Sequence, residues 1–172
     1  MVLMLPKANV GLNLCRDAEA SGSRWKQSTD ASFVLTDAAA TQDFGAAFAK
    51  QLSSGDLVLL KGPLGAGKTS LVQGMAQALH ITEPITSPTF AIAQHYPQGR
   101  PPLIHLDLYR LDIPAAADEI FCQEEEEARQ MGAVMVVEWP ERLGIEIAPA
   151  WNLELRYFNE DQRKATLRWI ST

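Results

Sequence analysis

From residue 31 onward, hydrophobic positions fall into short runs of recognisable period. Ser32-Phe33-Val34-Leu35 fits a short strand. Thr36 then suits a helix N-cap, with Asp37 in a first turn whose dipole favours a carboxylate. Ala40, Phe44, Ala47, Phe48 and Leu52 recur at helical spacing, and Gly55 closes that element. Leu57-Val58-Leu59-Leu60 is continuously apolar, which predicts a strand buried on both faces. A glycine-rich stretch follows, then a helix carrying Leu71, Val72, Met75 and Leu79 on one face. Leu103-Ile104-His105-Leu106 and Ala133-Val134-Met135-Val136-Val137 predict two further strands, each running into a carboxylate, Asp107 and Glu138. The tail alternates with period two over Leu153–Tyr157 and Ala165–Ile170 around Asn159-Glu-Asp161, the pattern of a hairpin.

Residues 1–30 lack this periodicity. Asp17-Ala-Glu-Ala-Ser-Gly-Ser-Arg24 is small and polar, so 1–30 reads as a loosely ordered extension and 31–172 as one domain. A chain of 172 residues, 47% of them hydrophobic, can bury one sizeable core. The 15 basic residues are scattered among 21 acidic ones for a net charge of −6, which argues against direct tracking of a nucleic-acid backbone. The two cysteines, Cys15 and Cys122, form no ligand pair and read as reduced thiols of a cytoplasmic protein. No apolar run is long enough to span a bilayer, and the opening Met1-Val-Leu-Met-Leu is too short, and lacks the basic leader, for a signal peptide.

The glycine-rich stretch changes the picture from fold to chemistry. Gly62-Pro63-Leu64-Gly65-Ala66-Gly67-Lys68-Thr69 satisfies G-x-x-x-x-G-K-[ST] in full, between an expected strand and an expected helix. The glycines let successive N–H groups point inward as an anion-binding nest, and the helix beginning at Lys68 adds its positive dipole end. Lys68 can reach the β- and γ-phosphates, and Thr69, followed by Ser70 in the same turn, is placed for magnesium and phosphate. A P-loop also needs an acid at the end of a neighbouring strand, and Asp107 or Glu138 would serve, because ligands of open parallel sheets sit at the strands' carboxyl ends. The fold class is therefore α/β: a P-loop NTPase-like three-layer sandwich, its sheet mainly parallel, with a C-terminal antiparallel hairpin.

Four motifs, Gly62-Pro-Leu-Gly-Ala-Gly-Lys-Thr69, Thr86-Ser-Pro-Thr-Phe90, His105-Leu-Asp-Leu-Tyr-Arg110 and Val137-Glu-Trp-Pro-Glu141, occur together in this order. In this combination the chain, over about Phe33 to Ile170, resembles the TsaE (YjeE) family of bacterial ATPases. The resemblance implies an ATP- and magnesium-dependent hydrolase of the machinery that makes threonylcarbamoyladenosine beside the tRNA anticodon. Its implied partners are TsaB and TsaD, with tRNA reached only through that complex. It also implies that Thr86, Ser87, Pro88 and Thr89 form a first switch responsive to the γ-phosphate. Asp107 takes the second-switch position and orients the attacking water, while Glu138 matches the acid that helps Thr69 hold magnesium. Arg110 reads equally as a cation for the transition-state charge or as a structural ion pair. His105 reads as a packed histidine, and Trp139 as a half-buried core residue. Tyr157 or Phe158 could stack on adenine, but a core role is expected for both. One departure is Asp118-Glu-Ile-Phe-Cys-Gln-Glu-Glu-Glu-Glu127, where the family often has a Gly-Leu-Glu-type stretch; its four glutamates read as a solvated helix face.

Two rival P-loop functions would leave their own marks on the sequence. A small-molecule P-loop kinase needs an arginine-bearing lid, whereas Arg100, Arg110 and Arg129 stand singly. A regulatory GTPase would need Asn-Lys-x-Asp and Asp-x-x-Gly, and the chain contains neither.

Overall fold

A computed structural model of the chain describes residues 2–4, 30–88 and 91–171. Strand β1 (Val2–Met4) precedes β2 (Ala31–Leu35), helix α1 (Ala38–Ala49), β3 (Leu57–Lys61) and helix α2 (Lys68–Ala78). Then come β4 (Ala93–Tyr96), β5 (Leu103–Asp107), helix α3 (Pro114–Met131), β6 (Val134–Glu138), a 3-10 turn (Pro140–Arg142), β7 (Ala150–Tyr157) and β8 (Arg163–Ile170). The described strands form one sheet in the order β1-β2-β8-β7-β3-β6-β5-β4. Its centre, β7-β3-β6-β5, is parallel throughout. β8 runs antiparallel to both β7 and β2, and β4 closes the other edge antiparallel to β5.

Strand periodicity sorts the core into two layers. Val58 and Leu60 of β3, Val134 and Val136 of β6, and Leu153 and Leu155 of β7 pack with Phe44 and Phe48 of α1 and Leu71 and Met75 of α2. The intervening positions, Leu57, Leu59, Ile104, Leu106, Met135 and Val137, pack with Ala117, Phe121 and Ala128 of α3. Burial on both sides explains why β3 and β6 read as unbroken apolar runs rather than alternating ones. The result is the three-layer α/β arrangement expected.

α1 and α2 approach backbone to backbone. A Cβ at Gly74 would lie 1.9 Å from the Gln42 carbonyl oxygen, and one at Gly45 would lie 2.1 Å from that of Leu71. Glycine at both positions is what allows the contact.

Several local readings are corrected. Asp37, not Thr36, is the N-cap of α1: its Oδ1 accepts the Ala40 N–H at 2.8 Å. That helix ends at Ala49 with Lys50 as its cap, well short of Gly55. β4 was not predicted, and neither was β1, which pairs parallel with β2 through Val2↔Ser32, Leu3↔Phe33 and Met4↔Val34. The loosely ordered extension otherwise falls on 5–29, outside the described residues. The four glutamates lie on α3, where Glu126 and Glu127 are exposed while Glu124 reaches His95 of β4 at 2.6 Å.

Candidate functional site

The Gly62–Thr69 motif joins β3 to α2 at the carboxyl end of the sheet. Gly65 and Gly67 take φ of +77° and +99°, left-handed conformations that favour glycine. Gly67 caps α2 without any side-chain bond, so the loop presents unsatisfied N–H groups of the first turn to an incoming anion. Ala66 is buried beneath the loop, while Pro63 and Leu64 form its exposed crest.

Lys68 is 6% exposed. Its Nζ donates to the carbonyls of Gly62 at 2.8 Å and Pro63 at 3.1 Å, and it lies 4.5 Å from the centroid of the Trp139 ring. Burial lowers the Lys68 pKa, opposed by the negative charges of Glu138, Asp107 and Glu141. The ammonium thus sits in a pocket that favours a nearby anion.

The acids come from two adjacent strands. Because β5 and β6 pair in register, with Asp107 opposite Glu138, and period two puts both on the α1/α2 face, they flank the phosphate loop. Asp107 Oδ1 accepts the Tyr109 N–H at 2.9 Å, and Oδ2 accepts the Ser87 hydroxyl at 3.3 Å. The second contact ties the segment before β4 to the acid that ends β5. Burial raises the Asp107 pKa and the neighbouring Glu138 charge adds to it; the Tyr109 N–H, His105 and Ser87 act the other way. Glu138 is 3% exposed and pairs with the fully buried His105 at 2.9 Å between its Oε1 and Nε2.

These groups share one cleft of about 240 Å³. Leu64, Gly65, Gly67, Lys68, Thr69 and Ser70 line it from the loop side, and Ser87, Asp107, Tyr109, Glu138 and Trp139 from the opposite side. The structure therefore brings together most of the residues the sequence singled out. Gly62 and Pro63 also line a neighbouring groove with Lys61, Glu154 and Arg156. Thr86 is exposed and its Oγ1 accepts from Gln94, Pro88 is buried, and Thr89 lies outside the described residues. Arg110 is exposed in the turn after β5 and does not line the cleft.

Two aromatic residues, Trp139 and Tyr157, do more than the sequence assigned them. Trp139 does pack on the α3-side core, but it also forms a cleft wall, with Lys68 over its ring and Tyr109 tilted against it at 4.9 Å between centroids. Its φ of +58° is unusual for a bulky residue, and such strain clusters at functional sites. The expected core role of Tyr157 and Phe158 is overturned, since they are 51% and 50% exposed. Tyr157 is the last paired position of β7, opposite Arg163, and Phe158 follows in the turn. Tyr157 instead donates its hydroxyl to the Leu64 carbonyl at 2.9 Å, with the Arg163 guanidinium 4.4 Å from its ring centroid.

Among the described residues no group of three His, Cys, Asp or Glu side chains is arranged as a metal cage. The hydroxyl of Thr69 and the carboxylates of Glu138 and Asp107 nevertheless form an all-oxygen set on one cleft. Magnesium typically uses one or two carboxylates together with phosphate oxygens and water. The residues fit a magnesium-bound nucleotide, and a cation there would relieve the mutual repulsion of two neighbouring acids. No helix among the described residues is long and apolar enough to cross a membrane.

Known proteins are similar to this chain over most of its length. A TsaE protein of Nostoc sp. is 40% identical over 136 residues, covering 77% of this chain and 82% of the relative. One from Synechocystis sp. is 48% identical over 114 residues, covering 64% and 71%. Both bear the name tRNA threonylcarbamoyladenosine biosynthesis protein TsaE. The crystal structure of Bacillus subtilis YdiB superposes with a TM-score of 0.67 at 25% identity, covering 83% of this chain and 87% of that one. A family model described as "Threonylcarbamoyl adenosine biosynthesis protein TsaE" matches residues 35–166, which span the loop, both acids, β7 and the first half of β8. A phosphate loop facing paired strand-end acids, in a chain matched over this length, makes the protein a member of the TsaE family of tRNA threonylcarbamoyladenosine biosynthesis.

Proposed function

We propose that this chain binds and hydrolyses ATP with magnesium, in the cytoplasm, as the nucleotide-driven subunit of a complex with TsaB and TsaD. The observation that carries the reading is the convergence of Lys68 and Thr69 with Asp107 and Glu138 on one cleft. The loop amides and Lys68 would cradle the phosphates, and the Lys68 ammonium would exchange its bonds with the Gly62 and Pro63 carbonyls for phosphate oxygens. Thr69 and Glu138 would hold magnesium, which, when bound, neutralises charge on the β- and γ-phosphates. Asp107, fixed by the Tyr109 amide, would orient the attacking water. Its bond to Ser87 gives the first switch a direct line to that acid. Tyr157 would brace the crest of the loop rather than stack on adenine, because its hydroxyl is already engaged there.

Fast P-loop hydrolysis also needs a positive charge on the γ-phosphate, and a missing arginine finger costs about 10³–10⁵ in rate. Arg110 is exposed and is not among the residues that line the cleft, which supports slow turnover by the isolated chain and assembly of the full site on its partners. ATP should favour that association and ADP weaken it, since the switches sense the γ-phosphate. Phosphate release by the chain alone, with TsaB, with TsaD and with both is the test. Slow release alone and marked stimulation by the pair is expected; rapid release that the pair leaves unchanged would defeat partner gating.

A further inference from the structure

Within that reading of Glu138 as the magnesium-side acid, we propose that His105 is its positioning residue, acting as the Nε2–H tautomer. His105 lies one pleat below Asp107 on β5, opposite Val136, so it meets Glu138 diagonally across the β5–β6 pair. Period two turns His105, Asp107 and Glu138 to the same face of the sheet, in a row that begins in the core and ends in the cleft. His105 is completely buried, and its Nε2 stands 2.9 Å from Glu138 Oε1.

The tautomer follows from the neighbours. Glu138 Oε1 is an acceptor, so the nitrogen facing it must carry the hydrogen. Nδ1 is buried and has no hydrogen-bond partner among the described residues. Moving the hydrogen to Nδ1 would bury an unsatisfied donor and turn the Nε2 lone pair against a carboxylate oxygen, two penalties at once. The Nε2–H form avoids both. It engages one oxygen of Glu138 and thereby fixes the rotation of the carboxylate, so that the other oxygen is the one presented to the cleft. Outer partners of metal-binding carboxylates typically change metal affinity by about 10–100-fold when removed.

The experiment titrates magnesium against binding of a fluorescent ATP analogue, and measures analogue affinity in EDTA alongside. His105→Leu, which keeps volume and loses the donor, should raise the magnesium midpoint about 10-fold or more while leaving affinity in EDTA within about 2-fold. His105→Gln, whose amide can donate from nearly the Nε2 position, should recover a midpoint within about 3-fold of the parent. Long-range ¹⁵N–¹H spectra of the unmodified protein should show His105 as Nε2–H, and this reading stands even if His105→Leu fails to fold. Glu138→Gln separates the two layers of the argument. If it shifts the midpoint and His105→Leu does not, the role of His105 is refuted while that of Glu138 survives. If Glu138→Gln leaves the midpoint at the parent value, the magnesium-side reading of Glu138 falls and takes the His105 proposal with it. An Nδ1–H tautomer would overturn the proposal directly.

Discussion

Gly74→Ala tests the packing that sets the phosphate loop. The added methyl carbon would sit 1.9 Å from the Gln42 carbonyl oxygen, 2.6 Å from its carbon and 2.8 Å from its Cα. Ordinary contact begins near 3.4 Å. The obstruction is backbone, which no rotamer change can clear, so α1 and α2 would have to part by about 1.5 Å in a close-packed layer. The reciprocal contact of Gly45 with Leu71 would open at the same time. Overpacking of this kind costs about 1–3 kcal/mol, and a backbone obstacle points to the upper end. Alanine returns about 1 kcal/mol through helix propensity in α2. The net is a destabilisation of about 2 kcal/mol, which with a urea slope of about 1–3 kcal/mol per molar lowers the midpoint by about 1 M. Because α2 starts at Lys68, displacement of the helix should also weaken nucleotide binding. Urea unfolding followed by far-UV circular dichroism measures the first effect. A midpoint equal to or above that of the parent would mean that propensity outweighs the helix contact, and that α1 and α2 do not rely on it.

Lys68→Ala is expected to weaken binding of a fluorescent ATP analogue strongly and abolish hydrolysis, with far-UV circular dichroism unchanged; parent affinity would remove Lys68 from the phosphate site. Asp107→Asn should lower turnover by about 10²–10⁴ while ATP affinity stays within a few-fold, and turnover at the parent rate would refute the role of that acid. The same variant carries a pH test. Burial raises the folded-state pKa of Asp107, so the ionised acid opposes folding at neutral pH and the opposition fades as pH falls through the carboxylate range. Asp107→Asn should therefore melt above the parent at pH 7, with the gap closing in acid; a gap that widens in acid would contradict the burial argument. Asp37→Ala removes the acceptor of the Ala40 N–H and should cost about 1 kcal/mol, or about 2–4 °C in thermal midpoint, while an unchanged midpoint would deny it the cap.

What the sequence determined was everything whose physics is local. Gly65, Gly67 and the following Lys-Thr specify a loop conformation and a phosphate chemistry within eight residues, with no need of distant partners. Strands β3, β5 and β6 announced themselves because burial on both faces leaves no polar alternation, and an acid at the end of such a run stands out. The hairpin of β7 and β8 was equally legible from period two. Tertiary structure decided what depends on sheet order and register. It set β5 beside β6 with Asp107 opposite Glu138, and so turned His105 from one buried histidine into the partner of a cleft carboxylate. It also placed Trp139 under Lys68, a contact between residues 71 positions apart that no window of sequence contains. Edge strand β4, Ala-Gln-His-Tyr, escaped notice because an edge needs no continuous apolar run. Tyr157 and Phe158 were misjudged for the complementary reason. An aromatic residue near the end of a strand looks like core until the fold shows it half exposed, and only there does the Tyr157 hydroxyl meet the crest of the phosphate loop.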